Sequence, residues 1–129
     1  MNSMTTANEL IRQIVSKHQA VYNAGAPDWT GFGVSCWFGD GQDETVKYYY
    51  DSSGGIGKQM KTPSVYDEFE QLQALLPDPD SVHAVIVGYA RDTDAVSMRI
   101  IRDAAEAKQY QNWLGNPFDI SEAIRPSGV

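Results

Sequence analysis

The residues that could do chemistry in this 129-residue chain are few and scattered. The segment Asp51-Ser52-Ser53-Gly54-Gly55-Ile56-Gly57-Lys58-Gln59 has the outline of a phosphate-binding loop. That loop needs a glycine where Ser52 stands. It also needs a Mg²⁺-holding hydroxyl where Gln59 stands, and glutamine is no substitute. The segment reads instead as a Gly-rich turn. His18 and His83 are the only histidines and Cys36 is the only cysteine, so a zinc site would need carboxylates brought in by the fold. Cys36 sits among Val34, Trp37 and Phe38 and reads as a small buried hydrophobe. A single cysteine allows no intramolecular disulfide. Asp78-Pro79-Asp80 and Asp92-Thr93-Asp94 pair carboxylates that could hold Ca²⁺ or Mg²⁺. Neither has the glycine and distal glutamate of a calcium loop, and aspartate beside proline or threonine is common in turns. No Gly-x-Ser-x-Gly elbow occurs, and no spacing prepares a nucleophile or an acid–base carboxylate pair. The expectation is a protein without catalysis, metal or cofactor.

Charge carries more information. The net charge is −7, which argues against nucleic acid and anionic membranes as partners. Residues 66–95 hold seven acids (Asp67, Glu68, Glu70, Asp78, Asp80, Asp92, Asp94) against Arg91 alone, so this stretch carries nearly the whole excess. The N-terminus has no basic stretch leading into a long apolar run, and no segment is apolar enough to span a bilayer. The expected compartment is the cytoplasm.

The elements that must position these residues follow from periodicity. Thr6 and Glu9 have capping-box spacing, and Leu10, Ile11, Ile14, Val15, His18, Val21 and Tyr22 form one helical stripe ending near Asn23–Gly25. Phe32, Val34, Cys36 and Phe38 alternate with other residues, as in a strand with one buried face. Gly39-Asp40-Gly41 turns the chain, and Thr45–Tyr50 returns it. A short third strand over Ile56–Met60 is weaker. Ser64 and Asp67 look like the start of a second helix with Val65, Phe69, Leu72 and Leu76 on its stripe, ended by Pro77 and Pro79. Val82–Tyr89 reads as a central strand and Ala95–Ile101 as the next. Asp103 and Glu106 open a third helix running to about Leu114. Phe118, Ile120 and Ile124 suggest a short packed helix, with 126–129 a frayed tail. The expected fold is a single α+β domain over residues 1–129, an antiparallel sheet of about four to five strands from two hairpins with three helices packed on it.

On this frame, Asp67, Glu68 and Glu70 are expected on the polar face of the second helix. Asp78 and Asp80 fall at one end of the central strand and Asp92 and Asp94 at the other, about 20–25 Å away. These acids either serve solubility and helix-dipole compensation or capture a basic partner. Trp37 and Tyr49 are the aromatics expected either to be exposed as interface anchors or to lie on a second helix-covered face.

The layout is a leading amphipathic helix, then Asp28-Trp29 before an aromatic hairpin, an acidic middle, a second hairpin and a late Trp113. It resembles small bacterial immunity proteins of polymorphic toxin systems, including contact-dependent growth inhibition immunity proteins and the YezG-like group. The resemblance is one of size, charge and order, and no family residue carries over. It implies a cytoplasmic inhibitor that neutralises a toxin domain, with an acidic surface suited to a basic nuclease. Two other classes stay open: a small enzyme with an unrecognised site, and a structural or adaptor subunit forming homo-oligomers through an apolar patch around Trp37 and Tyr49.

Overall fold

A computed structural model describes residues 6–39, 42–57, 63–111 and 118–129. Trp113 and the expected reach of the third helix to Leu114 lie outside these residues, as do Asp40–Gly41 and Lys58–Met60. The fold is α+β. Helix α1 (Ala7–Gly25) leads into strands β1 (Trp29–Gly39), β2 (Gln42–Asp51) and β3 (Ile56–Gly57). Helix α2 (Tyr66–Leu75) and a 3-10 turn (Pro79–Ser81) precede β4 (Ala84–Ala90) and β5 (Ala95–Ile101). Helices α3 (Ala104–Lys108) and α4 (Ile120–Ala123) follow. The five strands are ordered β3-β2-β1-β4-β5, and every neighbouring pair is antiparallel.

Local chemistry sets the boundaries. Thr6 caps α1, its hydroxyl oxygen accepting the Glu9 N–H at 3.2 Å. Asp103 accepts the Ala105 and Glu106 N–H groups at α3, and Asp119 accepts the Glu122 N–H at α4. The Ser64–Asp67 cap expected for α2 does not form; the helix starts after Val65 with no side-chain cap. Two lysines hold its approach instead. Lys17 donates to the Ser64 carbonyl at 3.0 Å and Lys47 to the Pro63 carbonyl at 2.7 Å.

Both faces of the sheet are covered, which is why β4 reads as a continuous apolar run and is buried at all seven positions. On one face α1 and α2 press Leu10, Ile14, Phe69 and Leu72 onto Phe32, Val34, Cys36, Val85 and Val87. On the other, Ala107, Tyr110 and Ile124 pack on Ala84, Ile86 and Ile101. The tail expected to fray lies against this second face. A Cβ at Gly33 would collide with the Ile124 carbonyl, and one at Gly31 would meet the Val129 side chain at 2.8 Å. Only glycine lets the last residues approach so closely. Tyr50 adds a hydrogen bond to the Ser121 carbonyl at 2.5 Å, and the Arg125 guanidinium lies over its ring.

Candidate functional site

Helix α2 places its acids in two opposite environments. Glu68 follows the buried stripe of Val65, Phe69 and Leu72 and turns inward, against the expectation of a solvated acid. It is only 7% exposed and is ion-paired with Lys17 of α1. The reason is its spacing, one residue before Phe69 and four before Leu72, which sets it on the sheet side of the helix. Lys47 of β2 stands beside this pair. Burial first, then the charge on Lys17, brings its amine down to about 8.

His18 completes the buried cluster and is fully enclosed. Its Nδ1–H donates to the Ile14 carbonyl at 2.7 Å, fixing the neutral tautomer, and its ring stacks on Phe32 at 5.4 Å. Burial lowers its pKa to about 4, with the charges on Lys47 and Lys17 pushing the same way. Among the described residues, His18 Nε2 and the Tyr22 hydroxyl are enclosed without a hydrogen-bond partner. Cys36 is buried, and burial pushes its thiol far up, as suits a small hydrophobe.

The opposite side of α2 is exposed. Asp67 and Glu70 face outward there, and Asp43 at the start of β2 joins them. The hydrogen bond and negative charge of Asp43, with Asp67 adding to them, make Glu70 hold its proton to a higher pH than an ordinary glutamate. Among the described residues no basic side chain pairs with Asp43, Asp67 or Glu70. The arrangement is a cluster of carboxylates repelling one another at the surface. It can accept charge-assisted hydrogen bonds from a guanidinium or ammonium.

The other expected residues are dispersed. Asp78 and Asp80 lie before β4, where Arg102 grips the loop through the Pro77 and Asp78 carbonyls and the Ser81 hydroxyl. Asp92 and Asp94 lie beyond the far end of β4, and Asp94 accepts the Tyr89 hydroxyl at 2.5 Å. Both loops are exposed, at opposite ends of one strand. Trp37 and Tyr49 form no common patch. Each is half-buried, Trp37 against the α3–α4 cluster and Tyr49 against the α1–α2 cluster with its ring 5.1 Å from Tyr22. Adjacent antiparallel strands put them on opposite faces of the sheet.

Sequence reasoning did not reach Asp43, since it lies outside the acidic 66–95 stretch. Its alternation with Lys47 and Tyr49 along β2 was the available signal. The Gly-rich turn after β2 is filled from within. The Asp51 carboxylate accepts the N–H groups of Ser53 and Gly55 that a bound anion would use. Among the described residues no group of three or more His, Cys, Asp or Glu gathers as a metal site, and no helix is long and apolar enough to cross a membrane. In comparisons with known proteins, no protein-family model matches the chain and no curated protein matches it.

Proposed function

We propose that this chain is a cytoplasmic immunity protein, and that it neutralises a basic toxin domain by docking the outer face of α2 and the adjoining start of β2 against it. The observation that carries the reading is the cluster of Asp43, Asp67 and Glu70. A glutamate whose proton affinity is raised by neighbouring acids works against the folded state. A fold that keeps such a cluster at its surface is departing from the local rule, as functional sites do. A lysine- or arginine-rich surface relieves the repulsion, so the partner gains what the free protein lacks. The net charge of −7 extends the attraction beyond contact and hastens encounter. A nuclease toxin fits this chemistry because its own substrate is a polyanion, and the acids would occupy the ground that phosphates take.

The test is protection. Candidate toxin domains with basic surfaces are expressed in bacterial cells with and without this chain, and growth is followed. One toxin is expected to be tolerated only with the chain present, and the purified pair is expected to form a stoichiometric complex. Growth arrest by every such toxin regardless of the chain contradicts the proposal.

A further inference from the structure

Asp78–Pro79 is the only Asp–Pro bond in the chain, and it is held in an arrangement that a turn alone does not require. Asp78 is left-handed, with φ 49° and ψ 63°. That conformation is strained for a residue with a side chain, and more so before proline, which drives its predecessor to extended angles. The Asp78 carbonyl oxygen accepts from three donors: the Ser81 N–H at 3.0 Å, the Ser81 hydroxyl at 2.9 Å and Arg102 Nη1 at 3.1 Å. Arg102 also donates to the Ser81 hydroxyl and, through Nη2, to the Pro77 carbonyl at 2.7 Å, so its guanidinium is fixed in place. Donors at such distances stabilise a carbonyl oxygen that takes on negative charge. The Asp78 carboxyl is exposed and, among the described residues, unpaired.

We propose that the fold promotes hydrolysis of its own Asp78–Pro79 bond in mild acid. A carboxyl oxygen of Asp78 attacks the carbonyl carbon of the same residue, forming a C–O bond and closing a five-membered cyclic anhydride. The charge that develops on the carbonyl oxygen is met by Arg102 and Ser81. The C–N bond to Pro79 then breaks. The proton given up by the carboxyl passes to the proline nitrogen, which leaves as a secondary amine. Water opens the anhydride, restoring the side-chain carboxyl and leaving a new chain-terminal carboxyl on Asp78. Water is the only reagent consumed. Proline suits the leaving role because its amide is tertiary and its nitrogen more basic than that of other peptide bonds. The pieces stay together after the cut. β1 precedes it and β4 follows it, and their pairing from Gly31↔Ala90 to Trp37↔Ala84 joins residues 1–78 to residues 79–129. Cleavage opens the loop between α2 and β4 without dismantling the sheet.

The full chain is incubated at about pH 5, folded or in urea, and its products are weighed by mass spectrometry. Pieces ending at Asp78 and beginning at Pro79 are expected, formed at least roughly tenfold faster from the folded chain. Without denaturant they are expected to co-elute in gel filtration. Asp78→Asn is expected to abolish the cut. Arg102→Gln is expected to slow the folded chain to near the urea rate and to leave the rate in urea unchanged. Ser81→Ala removes one donor with a smaller change to the loop, and it carries the test if the arginine variant does not fold by circular dichroism. It too is expected to slow the folded chain. A folded wild type cut no faster than the unfolded chain overturns the proposal, because the donors then only pin the loop. A folded Arg102→Gln or Ser81→Ala variant cut at the wild-type rate overturns it as well.

Discussion

Two acids two residues apart on α2, Glu68 and Glu70, show what the molecule does with charge. Glu68 is buried, paired with Lys17 and set beside Lys47, and it ties α1, α2 and β2 together. Glu70 is exposed, unpaired among the described residues, and crowded by Asp43 and Asp67. The first arrangement serves the fold. Removing Lys17 would leave the buried Glu68 carboxylate poorly solvated, so the pair is costly to break from that side. The second does nothing for the fold and leaves capacity for a partner. Roughly half a helical turn separates the paired charge from the unpaired one.

The buried side breaks with the larger effect. His18 has its folded pKa near 4 against 6.5 for the free side chain. Between those values the unfolded chain binds the extra proton, so stability is lost as pH falls through this window. The loss is on the order of 3 kcal/mol. Urea midpoints measured at pH 7 and pH 4.5 should show it, and His18→Phe should flatten the slope there. A wild type with equal midpoints at both values would contradict the enclosed neutral imidazole.

Next in size is Glu68→Ala. Lys17 keeps 40% of its side chain exposed, so the full cost of a buried pair does not apply. A loss of about 1–2 kcal/mol in chemical denaturation is expected. Glu70→Gln should act in the opposite sense. The raised pKa of Glu70 means that the native state binds more protons than the unfolded chain just above the ordinary glutamate range. Stability therefore falls as pH rises through that range. The glutamine variant should lose this dependence and unfold at slightly higher urea at pH 7. A variant less stable than wild type would show that the cluster is not repulsive.

Much of the fold was legible because its signals are local. Thr6, Asp103 and the Pro77–Pro79 pair mark ends that formed, and β1, β4 and β5 kept their alternation or apolar run. What escaped depends on contacts distant in sequence. The start of α2 is held by Lys17 and Lys47 rather than by Ser64, and nothing near residue 64 announces that. The tail packs because Gly31 and Gly33, nearly a hundred residues earlier, leave room for it. Glu68 could have been placed from its step to Leu72, but its charge pointed outward. Alternation along β2 sets the face that Asp43 takes, but no local pattern says that α2 lies over that strand. Trp37 and Tyr49 differ by an even number of residues across a hairpin, and the turn decides which face each takes.

Position rather than total charge defines the proposed binding face, and a matched pair of double reversals separates the two. Asp67→Lys with Glu70→Lys changes the outer face of α2, and Asp80→Lys with Asp92→Lys makes the same change in net charge at the ends of β4. Affinity of each for the toxin domain proposed as its partner is read by calorimetry at one ionic strength. The α2 variant is expected to bind at least roughly tenfold more weakly than the wild type, with the β4 variant close to it. Equal losses in the two variants, or a loss confined to the second, would contradict the assignment of the binding face.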